Sequence, residues 1–447
     1  GAIVTGRIEI KSFAAEIARL SLLIAEFQCD VRFIGQMEAR ALVLPLHATG
    51  AIVTGNALRT PWEEVCPPVT ASAEEQDLGG PTGRLNLEGS DEDWETYICG
   101  NPPYKGQSEQ TDEQKEDLEQ VFTDTDIKWK NLDYVSGWFY RFAVFAELSA
   151  ASAAFVSTNS ICQGQQVSAL WPYMFKKNLR IQFARTSFKW KNLAAKNAGV
   201  TVVVVGVARS SSNPAFIYLE DGTLSPNRYQ VSMIGPYLVP DTDVIVNATR
   251  KPLNGLPPMD YGSKPADGGG LIVRADEYLH LEDERAKEYI RLYIGSDEFI
   301  DGKLRYCIWV KDDEIASARN SSFIRAREEV VRTFRGRSKK AQTRELANHP
   351  FRFSEIRHSE VNSNRMPFIV PIHTGEDRPA LPVGGLPTGA VVSNAAFGLY
   401  DAPMWCLSLI TSRLHLSWIA SVCGKLETRF RYSNTLGWNT FPVPKLT

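Results

Sequence analysis

The residues with the clearest chemical potential are Asn101, Pro102, Pro103 and Tyr104, which follow a short apolar run that stops at Gly100. Neither proline can donate a ladder hydrogen bond, so a strand must end here. The side-chain oxygen of Asn101 and the backbone carbonyl of Pro102 can accept two hydrogen bonds from a planar aromatic amino group. Such bonds favour a pyramidal, more nucleophilic nitrogen, and Tyr104 offers a ring on which an extruded base can stack. The pattern therefore suits methyl transfer to the amino group of an aromatic base.

The elements that must position this motif are short strands that alternate with helices. Residues 11–28 carry apolar side chains at helical spacing. Strand patterns, most of them with polar residues just after the run, lie at 1–10, 51–54, 96–99, 153–157 and 200–208. This alternation predicts an α/β domain with a mostly parallel sheet, in which ligands bind beyond the carboxyl ends of the strands.

From residue 213 onward the alternation gives way to short β-type runs separated by turns rich in Gly, Pro and Ser. We therefore predict an α/β domain over 1–212, a mixed α+β domain over 213–400 and a short helical segment over 401–447. The chain of 447 residues is long enough to form more than one domain.

The bulk composition excludes some classes of protein. Seven cysteines without a C-x-x-C pair and six histidines without ligand spacing predict no metal site and no disulfide framework. The apolar runs are shorter than the roughly 18 to 20 residues that a membrane helix requires, so we expect no membrane partner and a cytoplasmic location. A net charge of −3 leaves nucleic-acid binding open, because only a local basic surface is needed.

The N-P-P-Y motif resembles that of adenine-specific N(6) DNA methyltransferases, and five further segments narrow the resemblance. They are F-V-S-T-N-S-I-C-Q-G-Q-Q-V (155–167), F-A-R-T-S-F-K-W-K-N (183–192), G-S-K-P-A-D-G-G (262–269), L-R-Y-C-I-W-V (304–310) and F-R-Y-S-N-T-L-G-W-N-T-F-P-V-P (430–444). In this order they are similar to the type IIL, MmeI-like restriction–modification proteins. The resemblance implies a Rossmann-like class I methyltransferase sheet using S-adenosylmethionine, then a target-recognition domain for double-stranded DNA, with a helical C-terminal region beginning at 401.

The resemblance also assigns roles to individual residues. Asn101, Pro102, Pro103 and Tyr104 would hold the target adenine, and Phe188 or Trp190 would pack against the flipped base. Ordinary core packing is the alternative for both aromatic residues.

By the same resemblance, Glu9 would bind the ribose hydroxyls of the cofactor, and Asn56 with Ala57 would contact its adenine ring. The alternative for Glu9 and Asn56 is a strand-end cap. Thr158, Asn159 and Ser160 could line the site or cap the following helix.

Two features depart from the family pattern. The glycine-rich loop expected before Glu9 is absent from this sequence, and so is the nuclease domain of the family. These two absences predict an N-terminally truncated protein with an incomplete cofactor site. The nearest nuclease-like pattern, D-E-F-I-D-G-K at 297–303, matches a segment of the recognition domain instead.

A basic segment at 325–344 is the candidate for phosphate contacts, although such a run can also be a solvated helix face. Its predicted DNA-binding residues are Arg325, Arg327, Arg332, Arg335, Arg337, Lys339 and Lys340. Base reading is predicted for polar segments at 359–365 and 375–378, with Glu376 and Arg378 in the second. Two other functions stay open: a protein-glutamine methyltransferase, which shares N-P-P-Y, and a non-catalytic DNA specificity module.

Overall fold

The computed structural model describes residues 6–43, 51–68, 96–189, 201–219, 226–253, 255–356, 366–426 and 429–443. The chain divides into two compact units, Gly1–Ile245 and Val246–Thr447. Both contain helices and strands, so the protein is a mixed α/β chain with several sheets. In the described ranges, no helix combines the length and apolar character needed to cross a bilayer.

The first unit begins with a parallel strand pair and continues into a larger sheet with helices between its strands. Its elements are β1 (Gly6–Glu9), α1 (Ser12–Phe33), α2 (Gln36–Val43), β2 (Ala51–Thr54), α3 (Trp62–Val65), β3 (Tyr97–Gly100), α4 (Asp112–Phe122), α5 (Ser136–Leu148), β4 (Ser152–Thr158), α6 (Gly164–Lys176), β5 (Leu179–Lys189), β6 (Thr201–Arg209), β7 (Ala215–Leu219) and β8 (Asn227–Val231). The strands predicted near 51–54, 96–99, 153–157 and 200–208 are therefore confirmed within one or two residues.

The larger sheet has the strand order β3-β4-β6-β5-β7-β8 among the described residues. β3 runs parallel to β4, and β5 runs parallel to β7. However, β6 is antiparallel to both β4 and β5, and β8 is antiparallel to β7. The prediction of a mostly parallel sheet is wrong for this sheet, because a run such as V-T-V-V-V-V-G-V shows burial on both faces but carries no signal for strand direction.

An aromatic core holds the helices of the first unit against this sheet. The rings of Phe139 on α5 and Phe155 on β4 are both buried, with centroids 5.1 Å apart. Phe139 also packs edge-on against Trp171 of α6 at 6.0 Å. The buried valines of β6, including Val203 and Val205, belong to the same core, so β4 and its neighbours form a rigid support for the loops at their ends.

The predicted boundary between residues 212 and 213 lies just before β7. This strand is hydrogen-bonded to β5 in the same sheet, and the compact unit extends to Ile245.

The second unit contains small sheets and short helices. Its elements are β9 (Met259–Tyr261), β10 (Ile272–Arg274), α7 (Ala275–Leu279), α8 (Glu284–Lys287), β11 (Ile290–Ile294), α9 (Ser296–Asp301), β12 (Arg305–Ile308), α10 (Ile315–Ala318), α11 (Ser322–Gly336), α12 (Ala341–Glu345), β13 (Phe368–Pro371), β14 (His373–Thr374), β15 (Gly384–Gly385), β16 (Val391–Val392), β17 (Ala396–Leu399), α13 (Trp405–Ile410), α14 (Arg413–Val422), β18 (Gly424–Leu426) and β19 (Arg429–Arg431).

In the described part of this unit the strand orders are β10-β12-β11-β16, β15-β13-β17-β9 and β14-β19-β18. The basic segment at 325–344 forms most of α11 and most of α12. Beyond residue 401, α13 and α14 are followed by β18 and β19, which pair with each other. β19 also pairs with β14 and so joins the end of the chain to the middle of the unit.

Candidate functional site

The predicted target-base motif begins where β3 ends at Gly100. Asn101 is exposed, Pro102 is buried, and Tyr104 is half-buried against the aromatic core. β3 and β4 are parallel, with Gly100 paired to Phe155, so the loops that follow both strands leave the same edge of the sheet. A Cβ atom at Gly100 would lie 3.2 Å from Cδ1 of Phe155, which explains the glycine directly before the motif.

Asp133 connects the loop after β3 to the loop after β4. Its side chain is 3% exposed. Oδ1 accepts the backbone N–H of Lys105 at 2.9 Å, and Oδ2 accepts the hydroxyls of Thr158 and Ser160 at 3.2 Å each. Thr158 and Ser160 are thus engaged by a buried carboxylate, while Asn159 between them is itself buried.

Tyr134, the next residue, extends this network towards β2. Its backbone N–H donates to the carbonyl of Lys105 at 2.9 Å, and its hydroxyl donates to Oδ2 of Asp117 at 2.5 Å. Burial raises the pKa of the Tyr134 hydroxyl well above its ordinary value, and the hydrogen bond to Asp117 adds to the shift. The hydroxyl therefore stays protonated and acts as a donor at neutral pH.

Asp117 lies on α4, which begins at a capping box. Thr111 Oγ1 accepts the N–H of Gln114 at 3.2 Å, and the Gln114 side chain accepts the N–H of Thr111 at 3.1 Å. The buried Asp117 carboxylate then also accepts Nδ2 of Asn56 at 2.8 Å and Nε of Arg59 at 2.5 Å. The loop after β2 is therefore tied to the helix that follows the N-P-P-Y loop.

The predicted cofactor residues lie at the ends of β1 and β2. These strands are parallel, and the N–H of Gly55 donates to the carbonyl of Glu9 at 2.9 Å, so the two strand ends are adjacent. Both ends of the Asn56 amide are engaged within the protein, because Oδ1 accepts the N–H of Leu58 at 2.9 Å and Nδ2 donates to Asp117. Ala57 is half-buried beside them, and its carbonyl accepts Nε1 of Trp62.

Phe188 lies near the end of β5 and is half-buried. The guanidinium carbon of Arg185 lies 3.9 Å from its ring centroid, a close cation–π contact. Trp190, the other predicted stacking residue, lies outside the described residues. The same is true of the predicted base-reading segment at 359–365.

Arg335 has a structural position that was not expected from the charge of its segment. The side chain is 0% exposed, and its guanidinium donates to backbone carbonyls around it. The acceptors are the carbonyls of Pro265, Ala266, Leu346, His349, Pro350 and Arg352. Burial lowers its pKa. A guanidinium enclosed in this way presents no surface to a phosphate, so Arg335 is not part of the candidate nucleic-acid interface.

Two further arginines of the basic segment are held in ion pairs. Arg327 pairs with Glu277, and Arg332 shares the carboxylate of Glu328 with Arg319. The hydrogen bond from Arg319 is the main reason that the pKa of Glu328 is lowered. The exposed members of the predicted set are Arg325, Arg337, Lys339 and Lys340.

Glu376 and Arg378 are exposed in a turn directly after β14. β14 pairs with β19, in which Arg429 and Arg431 are exposed on one face while Phe430 between them is buried. The turn therefore projects beside a basic strand surface. These two arginines were not predicted as binding residues, although the alternating R-F-R pattern is the usual signal of a strand with one solvent-facing side.

Asp117, Asp133 and Tyr134 were also missed by the sequence analysis. The available signal was weak: Asp133 stands shortly before α5, where an acidic residue normally reads as a helix cap. In the described ranges, no cluster of His, Cys, Asp and Glu has the arrangement of a metal site.

Comparison with known proteins gives a consistent picture over nearly the whole chain. The family model described as "MmeI, DNA-methyltransferase domain" matches residues 5–219, and that described as "MmeI, target recognition domain" matches residues 240–445. The chain is 37% identical over 443 residues to DNA methyltransferase A of Bacillus subtilis strain 168, covering 98% of this chain and 47% of that protein.

A solved structure of the Type IIL restriction-modification enzyme MmeI in complex with DNA is also similar. It matches with a TM-score of 0.79 and 31% identity, over 98% of this chain and 55% of that one. The chain therefore spans about half the length of the relatives it matches.

Proposed function

The chain belongs to the MmeI family through both its DNA-methyltransferase domain and its target-recognition domain, and from this membership we propose a specific reaction. The first unit transfers a methyl group from S-adenosylmethionine to the exocyclic amino group of a flipped adenine. The second unit selects the double-stranded DNA sequence in which that adenine lies. Together they serve a restriction–modification system in the cytoplasm of a prokaryotic cell.

The observation that carries this proposal is the position of Asn101 to Tyr104 at the end of β3. The side-chain oxygen of the exposed Asn101 and the Pro102 carbonyl are suited to accept hydrogen bonds from the two N–H groups of the adenine amino group. The nitrogen then forms a bond to the methyl carbon as the carbon–sulfur bond breaks, and the surplus proton on nitrogen passes to solvent. Tyr104 and Phe188 are the proposed stacking partners of the flipped base.

We interpret the first unit as a Rossmann-like class I methyltransferase sheet. Polar residues follow the parallel strands β1, β2, β3 and β4, and an antiparallel strand, β6, is inserted between β4 and β5. This arrangement supports a cofactor at the ends of β1 and β2 and a target base at the ends of β3 and β4.

The residues at the ends of β1 and β2 fit S-adenosylmethionine in different ways. When bound, this cofactor supplies a methyl group on a sulfonium centre. Oε1 of Glu9 accepts the N–H of Ile10 at 3.1 Å, and a carboxylate is the type of acceptor that suits ribose hydroxyls. The Asn56 amide is engaged by Leu58 and Asp117, so we propose that Asn56 shapes the turn that presents Ala57 to the adenine ring.

For the second unit, we propose that the exposed turn with Glu376 and Arg378 reads base edges in the major groove. An arginine side chain can donate two hydrogen bonds to the major-groove edge of guanine, and a glutamate can accept one from the amino group of cytosine. This turn therefore has side chains that can read bases directly. The exposed Arg337, Lys339 and Lys340 are proposed to contact phosphates and to make the affinity salt-dependent.

The proposal is tested by incubating the intact protein with labelled S-adenosylmethionine and a random-sequence duplex library. Nucleosides are then analysed by mass spectrometry, and the modified duplexes are sequenced. N(6)-methyladenine at one recurring sequence is expected. Label on a protein glutamine would favour the alternative methyltransferase, and sequence-specific DNA binding without any label transfer would favour a specificity module.

A further inference from the structure

We propose that Asp133 is a positioning residue for methyl transfer, which fixes the backbone after the target-base motif against the loop after β4. This inference rests on the proposed function and adds a residue outside the N-P-P-Y motif. The observation behind it is that the two oxygens of one buried carboxylate bind different parts of the chain.

The two oxygens of Asp133 bind different strand ends. Oδ1 takes the backbone N–H of Lys105, the residue directly after Tyr104, at 2.9 Å. Oδ2 takes the hydroxyls of Thr158, the last residue of β4, and of Ser160, just after the strand. A carboxylate that is 3% exposed is costly unless its oxygens are hydrogen-bonded, and here both are.

Lys105 is held at its carbonyl as well as at its N–H. The carbonyl accepts the backbone N–H of Tyr134 at 2.9 Å and Nε2 of Gln110 at 3.0 Å. The prolines at 102 and 103 fix φ at their own positions. The backbone between Pro102 and Lys105 therefore has little freedom, and the direction of the Pro102 carbonyl depends on the anchor at Asp133.

Asp133 is itself fixed from a third direction. Its N–H donates to Oε1 of Gln166 on α6 at 3.0 Å, and its Oδ1 also lies 3.3 Å from the N–H of Val135 at the start of α5. A local Asx turn before α5 would require only the contact with Val135, which Asn or Ser can also provide. The bonds to Lys105, Thr158 and Ser160 have no part in that turn, and each leads to a loop beside the candidate site.

The main test compares the intact wild-type protein with Asp133→Ala. The measurements are the single-turnover rate of adenine methylation, the Kd for DNA, the Kd for S-adenosylmethionine, and the fluorescence of 2-aminopurine at the target position. We expect the rate to fall about a hundredfold, because misplacement of a catalytic group by about 1 Å has that effect. Both Kd values should change less than about twofold, since the binding surfaces are retained.

Asp133→Asn serves as the conservative rescue. Its remaining oxygen can still accept the N–H of Lys105, and its amide can donate to the hydroxyls of Thr158 and Ser160, so the rate should return to within about tenfold of wild type. The double variant Thr158→Val with Ser160→Ala keeps the carboxylate and removes its bonds to both hydroxyls, together with the hydrogen bond between those hydroxyls. The methylation rate of this double variant should fall by about tenfold. It therefore tests the inference independently if Asp133→Ala does not fold.

A matched control is Asp241→Asn in the same unit. Asp241 accepts the N–H of Ser232 at 3.0 Å and its hydroxyl at 2.7 Å, and neither bond belongs to the network around Asp133. This variant should methylate at the wild-type rate.

Two results would overturn the inference. One is a folded Asp133→Ala protein that binds both ligands and methylates at the wild-type rate. The other is a parallel loss of melting temperature, both affinities and rate, which indicates a purely structural role. A wild-type protein that transfers no methyl group to adenine would contradict the proposed function itself, and the inference would be lost with it.

Discussion

Asn56 and Asp117, which are 61 residues apart in the chain, share a hydrogen bond of 2.8 Å between Nδ2 and Oδ2. The same carboxylate accepts the Tyr134 hydroxyl and Nε of Arg59. The turn after β2 is therefore held by a helix that follows the N-P-P-Y loop, and a substitution at either end of this bond should disturb the same turn.

Asn56→Ala and Asp117→Asn should each weaken S-adenosylmethionine binding by about tenfold, because each releases the turn that carries Ala57. The double variant should be little weaker than either single one, since both remove one shared interaction. Calorimetric titration of the four proteins measures this coupling. Full additivity of the two effects would show that Asn56 acts independently of Asp117, for example by direct contact with the cofactor.

Arg335→Ala should lower the free energy of unfolding by about 4 kcal/mol, because it leaves several buried carbonyl oxygens without their donor. Arg337→Ala, two residues further on at an exposed position, should change it by less than about 0.5 kcal/mol. Denaturant unfolding followed by tryptophan fluorescence compares the two. Equal stability of both variants would contradict the structural role of Arg335.

Arg378→Ala should reduce discrimination at one base pair by about 1 to 3 kcal/mol and leave the remaining positions of the recognised sequence unchanged. Lys339→Ala with Lys340→Ala should instead weaken binding to all duplexes alike and lower the salt slope by about one per lysine. Anisotropy titrations at several salt concentrations separate the two effects. A uniform loss of affinity for Arg378→Ala would remove that residue from base reading.

The stability of the second unit should fall in acid because of His415. This residue is 0% exposed, its Nε2 lies 3.0 Å from the Tyr432 hydroxyl, and burial lowers its pKa from 6.5 to about 3. Between these values the unfolded chain binds a proton that the folded chain does not. The free energy of unfolding should therefore decrease as pH falls from 6.5 towards 3, by up to about 1.4 kcal/mol per pH unit.

His415→Gln keeps a partner for Tyr432 and removes the titrating group, so the acid dependence below pH 6.5 should become shallower. His280→Gln, at an exposed position, is the control and should keep the wild-type slope. Chemical unfolding at a series of pH values provides the measurement. An unchanged slope in the His415 variant would assign the acid sensitivity to other groups.

The sequence predicted the local features of the fold better than the features that depend on contacts between residues far apart in the chain. The strand before Asn101 and the strand before Asn56 could be predicted, because apolar runs bounded by Gly, Pro and Asn are local signals. The direction of β6 could not, since a run buried on both faces gives no strand direction. The anchor at Asp133 was also missed, because its partners at 105, 158 and 160 are brought to it only by the folded sheet.

Arg335 was assigned to the wrong surface for a different reason. Charge alone suggested a DNA contact, but the spacing of Ile324, Val331 and Arg335 places all three on one face of α11. Both apolar residues of this face are fully buried. The helical spacing therefore correctly indicated that Arg335 is buried. For a residue on an amphipathic helix, its face should be considered before its charge.

The most direct test of the account is Asn101→Ala, assayed for N(6)-methyladenine by mass spectrometry of duplex DNA, with the Kd for the same duplex measured in parallel. The control is Gln107→Ala, an exposed amide in the same loop. We predict loss of methylation by at least about a hundredfold for Asn101→Ala with nearly unchanged DNA affinity, and wild-type methylation for Gln107→Ala. Methylation of adenine by Asn101→Ala at the wild-type rate would contradict the account.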